Sequence, residues 1–317
     1  MRRALLAVAT APLFAASAQA PLVDHHQHFF GAQLLAWSST FTPAAATFKP
    51  IGATELVALL DSAGIRRALV LSVAYQYGNP TRVVENEYEK VKAENDWTSQ
   101  QVALYPDRLR AFCSVNPTRD YALDEIARCA KDPQLRAGLK LHFGNSDVDV
   151  HDPNHLARLK RVFRAANDNR MPIVVHMRGS VNKGRPHGRA EALIFLNDLL
   201  PAAPDVPVQI AHLAGAGSYD DSTDHAAAVF GEALAAHDPR ATRLYIDASM
   251  GVAGMTAERK QLVVSRMRQI GLDRILFGSD GAVPGNSPRE NWAAFRTLPF
   301  RDEEFRAIAN NVAPYMK

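Results

Sequence analysis

The chain has 317 residues, 47% apolar and 22% charged, with a formal net charge of +3. That is ordinary globular composition, with ample length for a large core. No Lys/Arg run is long enough to serve a nucleic-acid or anionic-membrane surface, so the expected partner is a small molecule and not a nucleic acid.

In chain order, residues 1–20 come first. Arg2 and Arg3 precede an apolar stretch, 4–16, that is too short to span a bilayer. Ala16-Ser17-Ala18 and Ala18-Gln19-Ala20 both offer small-x-small cleavage patterns. The segment reads as a signal peptide, by the general or the twin-arginine route. It predicts an exported protein, periplasmic or secreted, that leaves the membrane once the leader is removed. Residues 21–317 then form a single domain, compatible with a homo-oligomer.

Strand 22–29 opens that domain and contains Val23-Asp24-His25-His26-Gln27-His28-Phe29. Side chains on a strand alternate faces. Asp24, His26 and His28 therefore share one face, and His25 points away, into packing or solvent. Two imidazoles two apart can chelate a cation, and they can equally be ordinary polar groups at a strand end. A Pro/Thr-rich loop, 38–52, leads to a helix over 55–63, with Thr54 as its cap and Gly64 as its stop. The apolar run 67–73 reads as a strand buried on both faces. A long polar helix follows at about 83–104. Five further strands are predicted at 109–115, 137–142, 172–176, 206–212 and 244–248, with helices after them at 120–130, 154–167, 189–200, 222–237 and 256–270. The eighth strand is 275–280, and helices near 289–296 and 302–312 end the chain. Eight strands each followed by helix predict a (β/α)8 TIM barrel, an α/β fold, over a doubly wound open sheet. Cys113 and Cys129 are the only cysteines, and two separate buried thiols are expected of them.

Metal-competent residues recur at the C-terminal ends of strands. Strand one ends in His26 and His28, strand four in Lys140 and His142, strand five in His176, strand six in His212 and strand eight in Asp280. In a barrel these ends converge on one rim, where barrel enzymes place their chemistry. Arg178 lies two residues beyond His176, in a basic loop with Lys183, Arg185 and His187, and arginine pairs bidentately with carboxylates. Arg178 and His142 are the substrate-binding candidates.

The order H-x-H on the first strand, lysine on the fourth, histidines on the fifth and sixth and aspartate on the eighth resembles the metal-dependent amidohydrolase superfamily. The segments Gly138-Leu139-Lys140-Leu141-His142, Ile210-Ala211-His212 and Phe277-Gly278-Ser279-Asp280 are similar to its amidohydrolase-related branch. That branch holds both lactonases and decarboxylases. The resemblance implies a divalent metal held by His26, His28, His176 and Asp280, with one Zn2+ expected and Mn2+ or a binuclear site as alternatives. Zinc makes hydroxide available near neutrality. Asp280 would shuttle the proton, and His212 would polarise the substrate or hold a second metal. Lys140 would bridge two metals if carboxylated, or contact the substrate as an amine. Asp24 is the candidate acceptor behind a ligating histidine. The expected reaction is hydrolysis of an ester, lactone or amide of a small acidic substrate. The alternative is nonhydrolytic decarboxylation of an unsaturated or aromatic acid.

Overall fold

The computed structural model describes residues 19–281 and 286–317. The expected signal peptide, residues 1–20, thus lies almost wholly outside the described residues.

Eight parallel strands follow one another round the sheet in chain order. They are β1 Val23–Gln27, β2 Arg67–Leu71, β3 Leu109–Ser114, β4 Leu139–His142, β5 Ile173–His176, β6 Val208–Ile210, β7 Leu244–Asp247 and β8 Ile275–Leu276. Backbone bonds from His25 N to Phe277 O (2.8 Å) and from Asp280 N to His26 O (2.8 Å) join the first strand to the last and close the seam. The strands are short apolar runs because both of their faces are covered. Outward residues such as Val70, Ala111, Leu141 and Val175 belong to the core shared with the helices. Inward residues Leu69, Leu71, Phe112, Val174 and Leu276 fill the barrel.

The outer ring is built from α1 Ala32–Ser39, α2 Ala53–Ala63, α3 Glu87–Ala103, α4 Ala122–Cys129, α5 Pro153–Asp168, α6 Arg189–Ile194, α7 Asp221–Ala235 and α8 Ala257–Ile270. The helices α9 Pro288–Phe295 and α10 Asp302–Asn310 follow. After them the chain crosses to the N-terminal end of the barrel. There Tyr315 and Met316 pack against Val23 and the inward residues.

Three differences from the sequence reading have local causes. The stretch after β1 holds a helix, α1, ahead of the expected loop. Helix α2 starts two residues early, at Gly52, whose N–H donates to Glu55 (3.0 Å), so Thr54 is not its cap. Cys113 and Cys129 form a disulfide and not two thiols. Cys129 lies on the buried face of α4 opposite Cys113 of β3, with 6.1 Å between Cα atoms, inside the range a disulfide spans.

Candidate metal centre

Five imidazoles form an arc around the C-terminal rim. Ring centroids lie 5.1 Å apart for His28 and His26, 4.7 Å for His26 and His212, 5.1 Å for His212 and His176, and 3.9 Å for His176 and His142. The barrel explains this order: each ring comes from a strand end, and β1, β6, β5 and β4 all open on the same rim. His142 and His176 are register partners on adjacent strands, so their rings stack face to face, 11° apart in plane.

Hydrogen bonds set which nitrogen each ring offers. His28 Nδ1 bonds the carbonyl of Leu71 (2.6 Å), and His212 Nδ1 bonds that of Ser249 (2.5 Å). A carbonyl only accepts, so both Nδ1 atoms carry the proton and both Nε2 atoms keep a lone pair. His26 Nδ1 faces Asp247 Oδ2 at 2.9 Å, which assigns it the same tautomer. The Nζ of Lys140, 3.5 Å from His26 Nε2, donates to that lone pair. His142 is opposite in sense. Its Nδ1 accepts from the N–H of Asn145 (3.0 Å), so the neutral ring presents an N–H at Nε2. His176 Nδ1 is buried without a hydrogen-bond partner.

Asp247, at the end of β7, organises the group and was not singled out in the sequence. Fully buried, it accepts from His26 Nδ1, Gln209 Nε2 (2.5 Å), His212 N (2.9 Å), Ser249 N (3.2 Å) and the Ser249 hydroxyl. Burial opposes its ionisation, but His26 and these donors outweigh that and hold it well below the usual carboxylate range. The available signal was a carboxylate inside an otherwise apolar, fully covered strand.

Asp280 stands opposite, its Oδ1 3.4 Å from His28 Nε2 and 3.9 Å from His26 Nε2. Burial pushes its carboxyl up, while His26, His28, His212 and Lys140 together bring it below the usual value. Burial lowers His28 to about 3, with Asp280 opposing. Burial likewise lowers His212, and takes His142 and His176 well below the ordinary imidazole value. Lys140, 1% exposed, is lowered by burial to about 8, with Asp247 and Asp280 opposing. Asp280 and His212 also adopt left-handed backbone, at φ 49° and 57°, with Leu213 and Ala214 continuing the strained turn. Such strain costs on the order of 1–3 kcal/mol per residue and gathers at functional sites.

Other candidates sit differently from the sequence reading. Asp24 bonds no imidazole ring. Its carboxylate accepts from His26 N (3.1 Å), Gln27 Nε2 (2.8 Å), Ser279 N (3.0 Å) and Ser279 Oγ (2.6 Å), and so ties β1 to the turn after β8. The irregular pairing of β1 between Asp24 and Gln27 breaks the strict alternation on which its role was argued. His25, expected in packing or at the surface, is in packing: it is fully buried, Nδ1 donates to Phe277 O (3.0 Å) and Nε2 accepts from Ala313 N (3.2 Å). Arg178 bonds Asp220 (2.8 Å) and Thr223 (3.3 Å) at the start of α7, so its guanidinium already has a carboxylate. Lys183 and Arg185 pair with Asp147, and Arg185 with Asp149. At the His142–His176 end of the arc opens a cleft of about 350 Å³, lined also by Asn79, Arg82 and Lys183. Arg82 rests over Phe41, its Cζ 3.6 Å from the ring centroid. Among the described residues no carboxylate bridges to it.

The donor set fits a divalent cation. The lone-pair nitrogens of His26 and His28 and the Asp280 carboxylate lie within 4.8 Å of one another. Donors about 2.1 Å from one cation at a tetrahedral angle lie about 3.4 Å apart, the separation of His28 and Asp280. A second trio, His26, His212 and Asp247, meets the same limit. His176 belongs to neither trio, but its unpartnered buried nitrogen is the kind of orphan a cation satisfies.

A closed parallel barrel with imidazoles, a lysine and a carboxylate converging on one rim defines a class of barrel enzyme. The family model described as amidohydrolase matches residues 23–313, and the chain belongs to that family. No curated protein matches it. Among solved structures, 2,6-dihydroxybenzoate decarboxylase from Rhizobium is similar at 17% identity, with a TM-score of 0.62 over 92% of this chain and 96% of that one. The 5-carboxyvanillate decarboxylase of Sphingomonas paucimobilis gives 16% identity and a TM-score of 0.63, over 91% and 96% of the two chains. A dihydroxybenzoic acid decarboxylase from Polaromonas, with bound manganese and the inhibitor 2-nitroresorcinol, gives 16% and 0.62, over 92% and 95%. Among the described residues no helix is long and apolar enough to cross a membrane.

Proposed function

We propose that the chain is a nonhydrolytic, metal-dependent decarboxylase of an unsaturated or aromatic carboxylic acid, the alternative and not the first expectation from sequence. The observation that carries this reading is the charge layout of the site. Lys140 sits among the donor nitrogens, Arg82 stands on the cleft wall without a carboxylate partner among the described residues, and Asp280 is the one carboxylate facing the rim donors from β8. A buried lysine and an arginine without a carboxylate partner among the described residues suit an anionic substrate, and Asp280 suits a proton carrier. The likeness to decarboxylases along the whole barrel supports it.

His26, His28 and Asp280 would hold the cation, with His212 and His176 next to them. Zinc or manganese there would supply an anchor and Lewis acid for the carboxylate of the substrate. The chain's own residues do the rest. Lys140 and Arg82 neutralise negative charge on the substrate, and the Nε2–H of His142 donates to it. Asp280, ionised at rest, first takes a proton from water and delivers it to the carbon that bears the carboxylate. The bond from that carbon to the carboxylate then breaks, its electron pair stays on the ring or alkene, and carbon dioxide leaves. Asp280, with a side chain 39% exposed, recovers a proton from water.

Hydrolysis is the second reading, favoured by the same neutral imidazoles and carboxylate, a layout that also activates water. Export is proposed alongside. The Cys113–Cys129 disulfide supports it, since such bonds persist in oxidising compartments.

The test is product analysis with Mn2+- or Zn2+-loaded protein and a panel of hydroxylated benzoates, lactones and esters. Decarboxylation in deuterated water releases carbon dioxide and leaves one deuterium at the carbon that carried the carboxylate. Oxygen-18 from solvent in a product carboxylate, without carbon dioxide, would overturn the reading in favour of hydrolysis.

A further inference from the structure

The barrel interior holds a polar thread that the chemistry above does not use. It starts at the far end, where the C-terminal segment seals the barrel. Arg67 donates to Met316 O (2.5 Å) and Arg110 to Tyr315 O (3.0 Å), so the last residues are strapped across the strand starts. This places the Tyr315 side chain inside the barrel, against Phe112 at 5.2 Å between ring centroids. Its hydroxyl donates to Gln209 Oε1. Gln209, fully buried on β6, donates from Nε2 to Asp247 Oδ2 (2.5 Å) and to His25 O (3.2 Å). Asp247 Oδ2 in turn receives the His26 Nδ1 proton at 2.9 Å.

We propose that Tyr315 is a positioning residue for the metal centre at the opposite end of the barrel, acting through Gln209 and Asp247 to fix the tautomer and aim of His26. Each link constrains the next. Burial, and then the charge of Asp247, push the Tyr315 hydroxyl well above its ordinary value, so it remains a donor. With Oε1 held by that hydroxyl, the Gln209 amide turns its N–H groups to Asp247. A carboxylate only accepts, so Asp247 must take the proton on His26 Nδ1, which leaves Nε2 as the lone pair beside His28 and Asp280. Removing the hydroxyl leaves Gln209 Oε1 buried and unsatisfied, a state that drives the amide to rearrange. Ser249 Oγ, 3.2 Å from His26 Nδ1, is the other polar group at that nitrogen. Its proton goes to Asp247 Oδ1, so at His26 Nδ1 it can only accept; it favours the same tautomer and leaves Oδ2, which Gln209 holds, as the shorter contact that aims the ring.

The inference rests on the reading that His26, His28 and Asp280 hold a divalent cation. Its test is Mn2+ titration of the purified full chain by calorimetry, with the thermal midpoint of the metal-free protein measured in parallel. Tyr315→Phe keeps the ring and removes only the hydroxyl. It is expected to weaken Mn2+ binding about tenfold, the scale of residues behind metal ligands, and to lower the midpoint because Gln209 Oε1 is left unsatisfied. It should also shift the visible absorption bands of Co2+ bound in place of Mn2+. Gln209→Leu is expected to weaken binding at least as much, and the double variant no further than Gln209→Leu alone. Phe163→Leu, in the core between the strands and the outer helices and away from the thread, should lower the midpoint and leave Mn2+ affinity unchanged. Wild-type affinity in Tyr315→Phe, or full additivity of the two effects, would overturn the proposal. A wild-type chain that takes up no Mn2+ would instead remove the cation reading, and the thread's role with it.

Discussion

The rim carries two groups of histidines that look alike in sequence and differ in chemistry. His26, His28 and His212 each give the Nδ1 proton to an oxygen and turn an Nε2 lone pair inward. Next to them, His142 and His176 are stacked ring on ring. His142 accepts at Nδ1, so it offers a donor at Nε2. The difference lies in the partner behind the ring: the acceptors are two carbonyls and Asp247 for the first group, whereas a backbone N–H donates to His142. The first group suits a cation, and His142 suits an anionic substrate. A strand-end histidine is thus defined by its partner, not by its place on the rim.

The comparison can be broken by substitution. Asp280→Asn removes the proton carrier and a cation ligand together, and kcat should fall by about 10³ or more if Asp280 acts as proposed. His28→Ala removes one lone pair and should weaken Mn2+ binding by about 10²-fold in calorimetry, exceeding the effect of any residue behind the ligands. His142→Phe keeps a ring to stack on His176 but removes the donor. It should leave Mn2+ affinity within about twofold and raise KM by about tenfold, the scale of one charge-assisted hydrogen bond. A large loss of Mn2+ affinity in this variant would merge the two groups. The smallest effect concerns pH. Burial lowers His28 from 6.5 to about 3 in the folded protein. Between those values the unfolded chain binds the extra proton, so folded stability falls as pH drops from about 6.5 toward 3. His142, His176 and His212 act in the same direction, as does Asp280, whose lowered carboxyl loses its stabilising charge in acid. Urea titrations of metal-free protein at stepped pH measure this, and Mn2+ should oppose the loss. A stability that is flat from pH 7 to 4 would contradict the burial of these rings.

Much of this was legible in the amino-acid sequence. Runs such as 67–73 and 172–176 announce strands covered on both faces, and eight of them alternating with helices imply the closed barrel. The rim histidines, Lys140 and Asp280 were visible as polar endings to apolar runs. Asp247 and Gln209 were not, because their role depends on what faces them across the barrel, from β1 and from Tyr315 more than 100 residues away. The tautomer of His28 was equally hidden, since the carbonyl of Leu71 on another strand decides it, and that of His142 depends on how the loop after β4 folds back onto the ring. The partner of Arg178 was hidden for the same reason: its charge was plain, but Asp220 lies 42 residues on. The disulfide depends on the facing of α4 and β3, which the spacing of Cys113 and Cys129 alone did not settle.

The central claim is that the Nε2 atoms of His26 and His28, with Asp280, hold one divalent cation. Anomalous diffraction at the manganese edge from crystals grown with Mn2+ tests it most directly. The account predicts a peak about 2.2 Å from His26 Nε2, His28 Nε2 and an Asp280 oxygen. A peak centred on His142, or none at the rim, would contradict it.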